Sequence, residues 1–466
     1  MFDGSLPAGT ALRDVDDATL AAAISGWARA AAASDAHKLE AIAELERRRC
    51  TDEHPLWACD DWDATAAEVS AALNTGHGRA IGQMELALTL RDRLPLVAAR
   101  FRAGDLTSRM VSLIAKRTRL VQDPHVLQAL DEVIADAIVG WAPLSEYKLE
   151  QAVDLQVQRL DPDAVRRYRN TERTRDFTIG DPDDDAGTTS VWGKLQTTDA
   201  GLLRERLEAM VRGVCEDDPR TLAQRRADAV GALAALSSHL ACRCGNPACP
   251  AAVDGRASNI AVHVVAGQDA GTAGVIPGMA GGIVPAPLLA EVIAHGATLR
   301  PVAPPSSEAA PGYRPSTALD EFVRMRDVTC RFPGCDRPSV SADIDHTQPW
   351  PHGATHPSNL KCYCRIHHLL KTFWPGWADR QSADGTLQVT TPSGARYTTK
   401  PFGALLFPGL DQTIAGPPQV EQPPVKPGRT VMMPARKRSR AQTRQDRIDA
   451  ERAENRARAD ADPPPF

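Results

Sequence analysis

The sequence predicts a mainly α-helical N-terminal domain with a few short strands, then a small Cys/His-rich module, and finally a disordered C-terminal tail. The chain has 466 residues, which is enough for more than one domain. Apolar residues make up 42% and aromatic residues only 5%, and the long Ala-rich stretches favour packed helices over a β-sandwich. Seven of the ten cysteines fall into two short segments, which indicates metal sites.

Apolar residues at helical spacing predict the first helices, because few Gly or Pro residues interrupt them. Residues 17–49 form the longest such segment. Asp105 and Thr107 are possible N-caps for a helix within 106–121. The other helical segments of this half are 64–74, 80–104 and 125–159.

The pattern changes between residues 174 and 195, where TRDFTIG and TTSVWGKL alternate as short strands around the acidic turn DPDDD. We therefore expect one mostly helical domain over about 15–300, with this strand pair inside it. Its remaining elements are expected to be helices over 198–214, 219–241 and 287–297 and a strand over 257–267.

Proline marks the boundary to the C-terminal part. Residues 301–315 contain five prolines and are expected to form a linker or a connector that follows the surface. The Cys/His-rich module covers 316–376, and GTLQVTTPSGARYTT indicates a β-hairpin in an extension over 385–410. Residues 415–466 are Pro-rich and then highly charged, so we expect a disordered tail or a solvated single helix.

Charge is distributed unevenly along the chain. Residues 1–300 carry a formal charge of −10 and residues 301–466 carry +5, so the C-terminal third is the better candidate to bind a polyanion. No run of 18 apolar residues occurs, and we expect no membrane partner. The N-terminal residues lack the basic and apolar regions of a signal peptide, so we expect a cytoplasmic protein.

Cys330, Cys335, Cys364 and His367 form a candidate structural zinc site. The first two cysteines flank a Pro-Gly turn, and two residues separate Cys364 from His367. Three thiolates and one imidazole suit tetrahedral zinc, which would stabilise a segment too small to fold by hydrophobic burial alone. Cys362 is an alternative to Cys364, and buried free thiols are the alternative to a metal site.

DIDH at 343–346 and the Asn359–Leu360 pair lie between Cys335 and Cys364, and CRIHHLLK follows at 364–371. In order and spacing, this segment resembles the HNH endonuclease family. The resemblance implies the ββα-metal fold, with a first strand over 340–346, a loop to about 358, a second strand that includes Leu360 and a helix over 363–372. It also implies a metal-dependent endonuclease that hydrolyses phosphodiester bonds in DNA.

The resemblance assigns roles to four residues of the module. His346 is expected to be the general base, because the ordinary pKa of histidine lies near neutral pH. Asn359 is expected to hold the loop and orient His346. Asp345 and His368 are expected to hold the catalytic divalent metal, which is Mg²⁺, Mn²⁺, Ni²⁺ or Zn²⁺.

Neighbouring residues extend this predicted site. His367 and His368 are consecutive on a helix and point roughly 100° apart, so one can face zinc and the other the catalytic metal. Asp343 is a further candidate ligand, and Arg365 and Lys371 are candidate phosphate contacts. The alternative function is a zinc-stabilised DNA-binding protein without cleavage activity.

The part of the chain before the module has its own resemblance. The segments QMELALTLRDRLPLVAARFRAGDLTSRM, DPRTLAQRRADAVGALAAL and HLACRCGNPACP resemble the large helical domain of uncharacterised function that precedes HNH modules in a bacterial repeat family. Target recognition, regulation or homodimer formation is the expected role of this domain.

For the endonuclease that the module resembles, RNA is the less favoured alternative to DNA as substrate.

A second metal site is possible near residue 240. His239, Cys242, Cys244 and Cys249 offer four ligands within eleven residues, at the end of a predicted helix. The spacing matches no common zinc class, so free thiols, or a ligand from elsewhere in the chain, remain alternatives.

Overall fold

The computed structural model describes residues 6–140, 144–165, 176–183, 188–253, 261–264, 274–275, 298–302, 305–406, 410 and 432–461. In these residues the chain is mainly helical with short strands, as the sequence predicts. The chain divides into two compact units. One unit comprises Met1–Tyr168 and Arg429–Phe466, and the other comprises Arg169–Gly428.

The first unit is built from helices that pack around one apolar core. Asp16 caps the longest helix by accepting a hydrogen bond from the Thr19 amide at 2.7 Å. Leu94, Phe101, Ile114, Leu130 and Ile134 are among the side chains fully buried in its core. The helices are α1 (Asp17–Arg49), α2 (Asp61–Leu73), α3 (His77–Asp92), α4 (Pro95–Arg102), α5 (Ser108–Arg117), α6 (Pro124–Gly140) and α7 (Glu146–Leu160).

Two of the long helical segments are divided in the structure. The helix expected over 80–104 ends at Asp92 and starts again at Pro95, because proline lacks the amide that a continuous helix requires. The segment 125–159 is likewise divided into α6 and α7, and Ser145 caps α7. Of the two N-caps proposed for α5, Thr107 fills the role.

The second unit begins with a hairpin and a helix pair. The strands β1 (Asp176–Asp183) and β2 (Thr188–Lys194) pair antiparallel, as predicted. They are followed by α8 (Thr197–Arg212) and α9 (Leu222–Ala234), and a capping box between Thr221 and Gln224 starts α9. A small sheet then consists of β3 (Ala261–Val264), β4 (Gly274–Val275) and β5 (Thr298–Pro301). The helix expected over 287–297 lies outside the described residues.

The Cys/His-rich module contains the elements expected of a ββα fold. After α10 (Thr317–Asp327), the strands β6 (Asp343–His346) and β7 (Leu360–Tyr363) pair antiparallel and lead into α11 (Arg365–Phe373). Phe322 and Val323 of α10 pack against Leu360 and Cys362 in one buried cluster. This packing fixes the strand pair, whose ends carry the predicted site.

The predicted hairpin after the module is confirmed, and the structure adds a third strand to it. The strands β9 (Leu387–Thr390) and β10 (Arg396–Thr399) pair as predicted, and β8 (Ala378–Gln381) extends them to a three-stranded sheet. The Gln381 side-chain amide donates to the Leu360 carbonyl at 3.0 Å, which joins this sheet to β7. The short helix α12 (Phe402–Leu406) ends the region.

The C-terminal segment differs from its expected disorder. Within the described residues 432–461 the chain forms α13 (Arg440–Ala461), which belongs to the first unit. Ile448 is buried in the core of that unit, and the Asn455 side chain donates to the carbonyls of Asp163 and Val165. A charged composition alone predicts a solvated segment because it does not reveal a matching surface elsewhere in the chain.

None of the helices in the described part of the chain combines the length and the apolar character that crossing a bilayer requires.

Candidate active site and metal centres

The strand pair and α11 bring the predicted residues to one place. In the register of β6 and β7, Asp345 lies opposite Lys361 and His346 lies opposite Leu360. Cys364 is the N-cap residue of α11. The adjacent His367 and His368, in the first turn of α11, therefore lie close to the C-terminal end of β7.

The first metal-binding group is the Cys₃His cluster, formed by Cys330, Cys335, Cys364 and His367. Its four ligand atoms lie within 4.8 Å of one another and all four residues are buried. The Phe332 ring stacks on His367 with 3.8 Å between centroids, which fixes the imidazole against the turn. This set can hold a metal ion such as zinc, in agreement with the spacing.

The thiols of this cluster interact strongly with one another. Hydrogen bonds from Cys330 and Cys335 hold the pKa of Cys364 well below its usual range, and burial raises the pKa of Cys330. Cys362 takes no part, since its sulfur lies in the apolar cluster below α10, 3.9 Å from the Val323 carbonyl. Of the two alternatives, Cys362 and Cys364, only Cys364 therefore belongs to the cluster.

The second feature is the Asp345–His368 pair that the sequence assigns to the catalytic metal. The Nε2 atom of His368 lies 3.6 Å from Oδ1 of Asp345. On its other side, Nδ1 of His368 is 2.8 Å from Oδ2 of Asp343. Two ligands of one small divalent ion, each about 2.1 Å from it, lie about 3 to 3.5 Å apart, so the pair fits such an ion. Asp343 orients the imidazole, as carboxylates do beside many metal sites.

Two lysines hold the remaining oxygen of Asp345. The ammonium groups of Lys361 and Lys371 are 2.8 and 2.7 Å from its Oδ2. Burial by itself raises the pKa of Asp345, but these charges and His368 keep it well below the usual range. Asp379, from β8, also pairs with Lys361 at 2.9 Å. Asp345 is therefore an ionised carboxylate with one oxygen held by lysines and the other facing His368.

A hydrogen bond at one ring nitrogen fixes the imidazole of His346. Its Nε2 lies 2.9 Å from Oγ1 of Thr355, and that hydroxyl lies 2.6 Å from the Gly312 carbonyl. The only hydroxyl proton goes to the carbonyl, so Thr355 accepts the hydrogen bond from Nε2–H of His346. Nδ1 therefore carries the lone pair. Burial, followed by the charges of Lys371 and Lys361, lowers the pKa of His346 to about 4, although Asp345 opposes this.

Asn359 holds the loop between β6 and β7. Its Oδ1 accepts from the Gln348 amide at 2.8 Å, and its Nδ2 donates to the carbonyls of Gln348 and Ala354. Gly353 allows this close approach, because a Cβ there would lie 2.1 Å from the Gln348 carbonyl oxygen. The side chain is thus fully used by the loop backbone.

The two predicted phosphate contacts differ. Arg365 has a side chain that is 59% exposed and pairs with Asp343 at 3.3 Å, so it can reach a ligand. Lys371 is 16% exposed, pairs with Asp345 and donates to the His346 carbonyl. Lys371 therefore lies in the interior of the site, where Asp345 and not a phosphate is its partner.

Several site residues have no recognisable signal in the sequence. Lys361 and Asp379 look like ordinary strand residues, and Thr355 lies in an irregular loop. Tyr313, in the Pro-rich linker, stacks on His346 with 5.3 Å between centroids. Its neighbour Gly312 accepts the Thr355 hydrogen bond, so the expected linker supplies part of the site.

The second metal-binding group differs from the predicted one. It is the Cys₄ cluster, formed by Cys215, Cys242, Cys244 and Cys249. His239 is not a member, because its Nε2 lies 2.6 Å from the Val253 carbonyl. Cys215 replaces it and lies 24 positions earlier in the sequence, where spacing gives no signal. This cluster too can hold a metal ion.

Comparisons with known proteins extend the sequence resemblance. The model of a family described as a domain of unknown function, DUF222, matches residues 27–327. The match ends before β6, so it covers the helical part, Gly312, Tyr313 and α10, but neither the Cys₃His ligands nor the site residues from Asp345 to His368.

Relatives of similar length occur in Mycobacterium tuberculosis. The uncharacterized protein Rv2100 of strain H37Rv is 51% identical over 98% of this chain and 91% of its own length. The uncharacterized protein Rv3776 of the same strain is 50% identical over 97% of this chain and 93% of its own length. No solved structure matches the chain.

Proposed function

The chain belongs to the DUF222 family, and from its own site we propose that it is a metal-dependent HNH endonuclease that hydrolyses phosphodiester bonds in DNA. The family description supplies no activity, so the proposal depends on the module. Asp345 and His368 would hold the divalent metal, and the Cys₃His cluster would hold a structural zinc ion.

One observation carries the proposal. The free oxygen of Asp345 and the free Nε2 of His368 lie 3.6 Å apart, and His346 directly follows Asp345 on β6. The end of β6 therefore supplies a metal-binding carboxylate and, at the next position, a neutral imidazole whose lone pair is on Nδ1, and the two groups are close enough for the charge of Asp345 to raise the pKa of His346. Hydrolysis of a phosphodiester requires both a base for the attacking water and a site for positive charge.

Each residue of the site has a separate role in the proposed hydrolysis. His346 takes a proton from water at Nδ1, while Thr355 keeps its Nε2 protonated and fixes the ring. Asn359 holds the loop that carries Thr355. A divalent cation bound by Asp345 and His368 would neutralise the scissile phosphate and the leaving oxygen.

The charge of the module and its hairpin extension supports a polyanionic substrate. Residues 316–410 contain ten Lys or Arg and eight Asp or Glu, in contrast to the acidic first 300 residues. Arg365 is exposed at the edge of the site and can contact a phosphate. DNA rather than RNA is proposed because the resemblance is to DNA endonucleases.

The second candidate function is DNA binding without cleavage. Lys361 and Lys371 already neutralise Asp345, which favours a site that is stable without a catalytic metal. The zinc-stabilised module would then bind DNA only.

Plasmid nicking by the full-length protein separates the two functions. We expect nicking that requires a divalent ion, and a loss of about 10²–10⁴-fold in rate for His346→Ala, with DNA affinity unchanged, since a general base acts mainly in the transition state. The matched control is His352→Ala, because His352 is an exposed histidine of the loop that follows β6.

Nicking by His346→Ala at the rate of the control would overturn the assignment of the base. DNA binding without nicking in the presence of Mg²⁺, Mn²⁺, Ni²⁺ or Zn²⁺ would instead favour the second function. The same assay on structured RNA tests the choice of substrate.

A further inference from the structure

Four thiols outside the module come together although they start from two parts of the chain. Cys215 follows the end of α8, whereas the other three members of the Cys₄ cluster lie in the loop after α9. Their sulfur atoms lie within 4.8 Å of one another. Four sulfurs around one tetrahedral zinc ion, each about 2.3 Å from it, lie about 3.8 Å apart. The cluster therefore has the size of a zinc–thiolate site.

A buried ion-pair network holds the loop beside the cluster. The fully buried carboxylate of Asp218 accepts from the Arg220 guanidinium at 2.7 Å and from the Arg243 amide at 2.8 Å. Gly245 has a φ of 75°, which glycine adopts readily, and it turns the chain directly after Cys244. The loop is thus shaped so that it returns towards α8.

The apolar core at this place is small. Its buried members are Met210, Val214, Ala229, Ala232 and Leu240, and two of the clustered cysteines complete it. So few apolar side chains give little stability, and natural proteins supplement such cores with a disulfide or a metal ion.

We propose that the Cys₄ cluster binds one structural zinc ion, which ties the end of α8 to the loop after α9. Four protein ligands leave no open position for water or substrate, so the ion stabilises the fold and takes no part in catalysis. Zinc binding releases the protons of those thiols that are still protonated. The inference is independent of the proposed nuclease function, because the two sites share no residue.

The competing chemistry is a disulfide. The sulfurs of Cys215 and Cys242 are 3.1 Å apart, which is longer than an S–S bond of about 2.05 Å but close enough for oxidation after a small movement. A disulfide would leave two thiols unable to complete a zinc site, so the two outcomes exclude each other.

The test is the zinc content of the full-length protein, purified without chelators and measured by native mass spectrometry and metal analysis. We expect two tightly held zinc ions per chain, one for each cluster. Cys215→Ser should lose one of them and keep the other. His239→Ala is the matched control and should keep both, because His239 bonds to a backbone carbonyl instead.

If Cys215→Ser does not fold, the wild-type protein alone decides the matter. Stepwise addition of an organomercurial should then release two zinc ions from it. A wild-type chain with zinc only at the Cys₃His cluster, or with a disulfide between Cys215 and Cys242, would overturn the proposal.

Discussion

At the scale of single residues, Asp345 has separate partners for its two oxygens. Lysines hold Oδ2, and Oδ1 faces His368 at 3.6 Å. His346 likewise has one nitrogen bound to Thr355 and the other available. In both residues, contacts at one polar atom fix the side chain, and the other polar atom is left to face the site. Hydrogen-bonding neighbours orient the ligands of metal sites in the same way.

Asp343 gives the prediction at this scale. Asp343→Ala removes the acceptor of the His368 Nδ1–H, so the imidazole loses its orientation. We expect the metal concentration for half-maximal nicking to rise about 10–100-fold, while the rate at saturating metal changes little.

Asp336→Ala is the matched control, because Asp336 is an exposed aspartate of the same module. A metal requirement that is the same in the Asp343 and Asp336 variants would contradict the orienting role of Asp343.

At the scale of the element, α11 connects the Cys₃His cluster with the proposed catalytic metal site. Its N-cap Cys364 and its residue His367 belong to the cluster, and His368 belongs to the proposed site. Adjacent residues on a helix point in different directions, so one short helix serves both. Loss of the structural ion should therefore also displace the proposed catalytic pair.

Removal of one sulfur tests this coupling. Cys364→Ala should lose one zinc ion per chain, lower the melting temperature of the module and abolish nicking, because structural zinc contributes directly to folding. Zinc analysis and calorimetry of the full-length protein measure the effect.

Cys362→Ala is the control, because its sulfur lies in the apolar cluster and not at the metal site. The two variants should therefore differ in zinc content. Equal zinc content would show that the Cys₃His cluster does not bind the ion.

At the scale of the whole molecule, α13 and the residues before it join the two ends of the chain within the first unit. Arg436 pairs with Asp60 at 2.8 Å and with Asp63 at 2.6 Å, and both carboxylates are nearly fully buried. Arg440 pairs with the same two aspartates. Arg436 and Arg440 are therefore engaged in ion pairs within the protein.

Arg436→Ala should destabilise the protein by about 1.5–3 kcal/mol, because it removes charged hydrogen bonds from buried carboxylates. Arg438→Ala is the control and should cost at most about 1 kcal/mol, since Arg438 pairs with Asp446 on the surface. Urea unfolding at neutral pH measures both changes. Equal stabilities of the two variants would contradict the docking of this segment.

The difference between these variants should depend on pH. Burial alone raises the pKa of Asp63, but a hydrogen bond with His77 and the charges of Arg440 and Arg436 lower it to about 2. A lowered carboxyl pKa stabilises the fold above the unfolded value of about 3.9, and this contribution is lost as the pH falls towards 2. The effect of Arg436→Ala should therefore be full at pH 7 and decrease below about pH 4.

The sequence by itself determined the helical class, the position of α1, the hairpin of β9 and β10, and three of the four ligands of the Cys₃His cluster, with Cys362 and Cys364 as alternatives for the fourth. Residues close together in the chain produced each of these features, either by periodicity or by short spacing. The pattern from Asp345 to His368 was recognisable for the same reason, since its members lie on one short strand pair and helix.

Only the tertiary structure decided the rest. Cys215 replaces His239 in the Cys₄ cluster, Thr355 and Gly312 fix His346, and Arg436 and Arg440 pair with the buried Asp60 and Asp63 at the start of α2. In each case the partners are far apart in the chain or lie in irregular loops, so no spacing connects them. Which thiol, hydroxyl or carboxylate reaches a site then depends on how the elements pack, and packing is a property of the folded chain and not of any local pattern.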